Sequence, residues 1–63
     1  MGKSNEIIEI GKSDLEKVTN IISYAKTNKI RYEKPKKGFI SITIESIQYI
    51  MDEEVFYPIW NNS

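Results

Sequence analysis

The sequence contains no cysteine and no histidine, and among its 63 residues are only three glycines, two prolines and one tryptophan. The first two absences exclude the most. Without Cys there is no disulfide framework, and without Cys or His the common zinc ligand sets cannot be assembled. Missing histidine also removes the usual proton shuttle, and missing cysteine the most reactive nucleophile, so only carboxylates, Lys12, hydroxyls and tyrosines remain for chemistry. The expectation is a protein without catalytic residues, cofactor or metal. No apolar run approaches the roughly 18 residues of a membrane span, and the first residues lack the apolar core of a secretory signal. A cytoplasmic location with no membrane partner is therefore expected, and the absence of Cys suits a reducing compartment.

A chain of this length has room for one domain, read here as residues 1–63 with 1–4 and 61–63 as loose ends. Such a small domain buries about 60% of the surface its unfolded chain exposes. With disulfides and metals excluded, association with a partner or with a second copy is the remaining source of extra stability. Formal net charge is zero, from nine basic and nine acidic residues, so the whole-molecule field favours neither nucleic acid nor basic partners. The distribution is uneven. Lys26, Lys29, Arg31, Lys34, Lys36 and Lys37 form a basic stretch interrupted by Glu33, whereas Glu45, Asp52, Glu53 and Glu54 follow as an acidic region. Lysine outnumbers arginine eight to one and Ile and Asn are frequent, as in AT-rich genomes.

The most self-consistent segment is 12–30. Leu15, Val18, Ile22 and Ala25, widened by Ile21, recur at helical spacing and predict an amphipathic helix over residues 14–27. Ser13 with Glu16 three positions later has the pattern of a capping box, and Thr27-Asn28-Lys29 reads as the exit, with Asn28 suited to a left-handed conformation. Isolated in water such a helix is marginal, so the remaining elements must cover its apolar stripe.

Around it the pattern is β-like. Residues 5–10 form a short strand, and 30–33 a second, with Ile30 and Tyr32 on one side. Lys34-Pro35-Lys36-Lys37-Gly38 reads as a hairpin loop. Ile40, Ile42 and Ile44 alternate with Ser41, Thr43 and Glu45 in the clearest strand, 39–45. Beyond it Ile47, Tyr49 and Met51 alternate on odd positions, which favours strand over a short helix and requires a bulge near Glu45-Ser46 if the strand is continuous. Asp52-Glu53-Glu54 reads as a turn, and 55–60 as a last, edge strand ended by Pro58. The predicted fold is α+β: a small, mostly antiparallel sheet of three to four strands (β-α-β-β-β) with one amphipathic helix packed on one face.

Several motif fragments fail on inspection. Gly11-Lys12-Ser13 stands where a phosphate loop ends, but Glu6 occupies the position of the loop's first glycine, and Gly11 reads as a turn residue. Gly2 would suggest myristoylation were Glu6 not in place of Ser or Thr. Lys37-Gly38-Phe39 copies three positions of an RNA-recognition signature that Ile40-Ser41-Ile42 does not continue. The acids 52–54 lack the alternating spacing of a calcium loop. Asn61-Asn62-Ser63 fits the glycosylation triplet in a chain with no sign of secretion.

Two surfaces remain as candidates. Six consecutive apolar residues at 55–60 exceed what one face of a strand can bury, and aromatic anchors are enriched at binding hot spots. This predicts a non-catalytic protein-binding module, of the kind of small inhibitor or regulator carried by phages and mobile elements. It would engage a larger protein, or a second copy as a homodimer, through Tyr49, Phe56, Tyr57 and Trp60. The alternative is a small nucleic-acid-binding protein using the 26–37 stretch, with Lys34, Lys36 and Lys37 for phosphates and Tyr32 for bases.

Overall fold

The computed structural model describes residues 6–62. The element order is β1 (Glu6–Glu9), α1 (Leu15–Thr27), β2 (Glu33–Lys36), β3 (Phe39–Ile44), β4 (Ile47–Asp52) and α2 (Glu53–Asn61). The four strands form one sheet in the order β1-β4-β3-β2, with β1 parallel to β4 and the other two pairings antiparallel. The α+β class and the mostly antiparallel sheet are as the pattern predicts. The loose end at 1–4, Asn5 of the first strand, the Gly2 signal and Ser63 lie outside the described residues.

Registers place Ile8, Tyr49 and Ile42 in one row across the sheet, and Met51 opposite Ile40 in the next. Val18, Ile21, Ile22 and Ala25 of α1 and Phe56 of α2 bury themselves on this face with Ile10, Ile40, Ile42 and Met51. Each large apolar side chain so buried contributes about 1.5–3 kcal/mol. The opposite face carries no helix. Its rows hold Ile7, Gln48 and Thr43, then Glu9, Ile50 and Ser41. Ser41 is nevertheless buried by its own neighbours, and its hydroxyl has no hydrogen-bond partner.

The first correction concerns residues 55–60, which are helix rather than a last strand. Asp52 is the N-cap, its Oδ1 accepting the Glu54 backbone N–H at 2.8 Å, and Glu53 and Glu54 favour the positive end of the helix. The acids therefore start a helix instead of making a turn. Val55 with Ile59 and Phe56 with Trp60 stand four apart, so one turn of α2 repeats the apolar contact that alternation would have split between two faces. Pro58 sits inside this helix, where it supplies no N–H to the Glu54 carbonyl. Apolar burial outweighs that loss.

Local boundaries shift for physical reasons too. The Glu45-Ser46 bulge is instead a two-residue hairpin: Ile44 faces Ile47, and both turn residues have positive φ, 51° and 71°. Type I′ geometry demands this and matches the strand twist. β2 begins three residues later than predicted, so Pro35 lies within an edge strand and the tight turn is Lys37-Gly38, with Gly38 at φ 87°. The helix cap also moves by one. Asp14 replaces Ser13 as N-cap and makes no side-chain cap bond, and Leu15, expected in the buried stripe, is 51% exposed because it begins the first turn, beyond the sheet's cover.

Candidate functional site

The end of α1 is built in detail. Lys29 takes φ 59°, its N–H donates to the Lys26 carbonyl at 3.3 Å, and the Ile30 N–H donates to the Ala25 carbonyl at 2.8 Å. This pair of bonds is a Schellman motif, in which the residue after the cap is left-handed. That residue is Lys29, and Asn28, expected there, is the C-cap and donates its side-chain amide to the Tyr24 carbonyl at 2.8 Å. The motif swings residues 30–32 across the end of α1 towards α2.

An open groove of about 630 Å³ lies in that angle. Its apolar part is Ile30 above the buried Ala25, its rings are Tyr32 and Trp60, and its charges are Lys26, Lys29 and Arg31. None of the described residues lining it carries a carboxylate. Lys26 is committed to α2: its Nζ donates to the Trp60 carbonyl at 2.7 Å and lies 4.7 Å over the Trp60 ring. A cation is favoured there twice, by the carbonyls at a helix C-terminus and by the indole face. Lys29 and Arg31 are exposed and form no ion pair among the described residues.

The aromatic residues named from sequence divide between core and groove. Phe56 is fully buried, which corrects its assignment to a binding surface: helical spacing turns it into the core. Tyr49 is half-buried on the helix-covered face, between Ile8 and Ile42. Tyr57 is half-buried, its ring 5.4 Å from Phe56 and 6.1 Å from Tyr32. Trp60 is half-buried and borders the groove, stacked on Phe56 at 5.2 Å. Tyr32 completes the cluster, edge-on to Phe56 at 4.9 Å and to Trp60 at 5.0 Å.

The structure does not gather the four residues of the nucleic-acid alternative on one surface. Tyr32 packs against α2, and Lys34 pairs with Glu53 at 3.4 Å near the start of that helix. Lys36 lies 4.8 Å over the Phe39 ring, paired with it in the β2–β3 ladder on the uncovered face. Lys37 occupies the turn. Lys26, Lys29 and Arg31 of the groove belong to the same 26–37 basic stretch but were not among the contacts named within it. Their signal was the position of the helix exit, since residues around a C-terminal reversal converge in space while the hairpin lysines run away from it.

Near the other end of α2 the acids are engaged by lysines. Lys12 lies 3.8 Å from both Asp52 and Glu54. These are exposed pairs of small energetic weight. Among the described residues no cluster of three metal-binding side chains occurs, and no helix is long and apolar enough to cross a membrane.

Comparison of the chain with family models, with curated proteins and with solved structures returns no match. The molecule is a small α+β domain presenting a cationic, ring-bordered groove.

Proposed function

We propose that this protein is a non-catalytic protein-binding module that engages a segment of a larger protein in the groove between the end of α1 and the last turn of α2. The carrying observation is the groove itself, an apolar strip of Ile30, Tyr32 and Trp60 flanked by Lys29 and Arg31. Concave apolar sites with a few placed polar groups are where ligands bind, and Trp and Arg are the residues most enriched at interface hot spots. A regulator or inhibitor of a larger protein needs no more equipment than this.

The nucleic-acid alternative draws on the same charges but finds less support from the rings. A base needs a free aromatic face. Trp60 has Phe56 on its ring at 5.2 Å and the Lys26 ammonium at 4.7 Å, and Phe39 carries Lys36 at 4.8 Å.

The test is affinity capture from nuclease-treated extract of the source cells, with cross-linking to identify the contact. The reading requires a protein retained by the wild type, lost on Trp60→Ala and kept on Lys37→Glu. Retention only before nuclease treatment, or loss on Lys37→Glu with Trp60→Ala unaffected, would move the function to the hairpin and to nucleic acid.

A further inference from the structure

We infer that the occupant of the groove is an acidic segment of the partner protein, in which carboxylates flank an apolar side chain. The inference rests on the protein-binding reading above and specifies its chemistry. Among the described residues, three of the seven that line the groove are cations and none is an acid. Lys26 is already matched by the Trp60 carbonyl and ring, so the unmatched charge is that of Lys29 and Arg31. Two exposed cations two positions apart on a fixed backbone present a short, paired positive edge. Arg31 can hold a carboxylate through two parallel N–H bonds, and Lys29 can meet a second as a point charge. Between them Ile30 contributes an apolar surface, continued by the rings of Tyr32 and Trp60. A segment that satisfied both charges while leaving this strip wet would forfeit the apolar part of the site, so an aliphatic or aromatic side chain between the acids completes the match.

Nucleic acid is the disfavoured anion, because Trp60 is stacked on Phe56 with the Lys26 ammonium over its ring and only two uncommitted cations are offered to a phosphate run. The backbone supports a dedicated role for Lys29. Left-handed backbone at a helix exit is ordinarily assigned to Gly or Asn, and a lysine kept there is strained. Strain of this kind concentrates where a side chain is used.

Trp60 is the one tryptophan in the sequence, so its emission reads the groove directly. The probe is a blocked peptide in which glutamates flank a central leucine, set beside the same peptide with glutamines, glutarate, and oligothymidylate. The expected result is a saturable change in Trp60 emission with the glutamate peptide alone. Binding should weaken about tenfold for Arg31→Gln, the effect of losing one charge-assisted contact. It should also weaken as salt rises, since both cations are exposed.

An equal response to the glutamine peptide, a response to glutarate or oligothymidylate in its place, or no saturable response to the glutamate peptide would each overturn the inference. Arg31 is exposed, so the variant's fold can be verified by circular dichroism before titration. Failure here is distinguishable from failure of the underlying reading. Should capture still retain a protein that is lost on Trp60→Ala but indifferent to Lys29→Gln and Arg31→Gln, the module stands and its acidic occupant falls. If no protein is captured under any condition, the reading itself fails.

Discussion

The Lys26 ammonium donates to the Trp60 carbonyl at 2.7 Å while lying 4.7 Å over the ring of the same residue, tying the end of α1 to the end of α2. One side chain thus closes a helix terminus and holds the indole that borders the groove. Lys26→Met preserves most of the stem's packing and removes the charge. A charge-assisted hydrogen bond and a cation–π contact together predict a loss of about 1–2 kcal/mol. Urea denaturation checks the value, and the emission of Trp60 should shift in the native state as its ring loses the ammonium.

Phe56 and Leu15 make a matched contrast. Both were expected in apolar contacts, yet Phe56 is 0% exposed and Leu15 51%. Phe56→Ala should cost about 3–5 kcal/mol, a large share of the stability of so small a domain. Leu15→Ala should fall within about 1 kcal/mol of wild type. Equal losses in a thermal melt would contradict the packing.

Pro58 lies in the interior of α2, exposed to solvent, with no N–H for the ladder. Pro58→Ala restores the donor opposite the Glu54 carbonyl and a good helix former, so stability should rise by about 1–3 kcal/mol. A fall would mean that the proline sets the angle at which Phe56 and Trp60 meet the sheet.

At the end of α1, Lys29→Gly should relieve the left-handed backbone and stabilise the fold by about 0.5–1 kcal/mol, the strain relieved being partly offset by glycine's entropy when unfolded. The same change deletes one of the two uncommitted cations of the groove. Higher melting temperature with weaker binding is the expected pair of outcomes, and a substitution that improved both would separate the strain from the site.

The turn at Glu45-Ser46 offers an independent stability test, since positive φ at both positions suits Asn-Gly far better. Glu45→Asn with Ser46→Gly should add about 1–2 kcal/mol, which for a domain of this size raises the melting temperature by about 4–8 °C per kcal/mol. These residues lie away from the groove, so binding should be unchanged.

Alternation and helical spacing suffice for α1, β3 and the odd-numbered face of β4, because each has one buried face that repeats without interruption. They fail at 55–60, where every residue is apolar and no period can be read. There the deciding information lay upstream, in Asp52 as a cap followed by two acids, and the β-prone run with its proline pointed the other way. The hairpin at 45–46 was hidden for a different reason, since neither residue is the glycine or asparagine that marks such turns. For the groove, the basic stretch was visible as charge, but which of its members converge depends on the left-handed step at Lys29, and lysine gives no warning of it.

β1 is the first strand in the sequence, and its partner in the sheet is β4, with α1, β2 and β3 intervening. The β2–β3–β4 meander closes through short local turns, whereas docking β1 requires a much longer loop to close, at a larger entropic cost. β1 is therefore expected to join the sheet after the meander has formed. With β4 on one side of it only, β1 should open without disturbing the hairpins or the α1–α2 junction, its amides exchanging with solvent sooner than those of the inner strands β3 and β4.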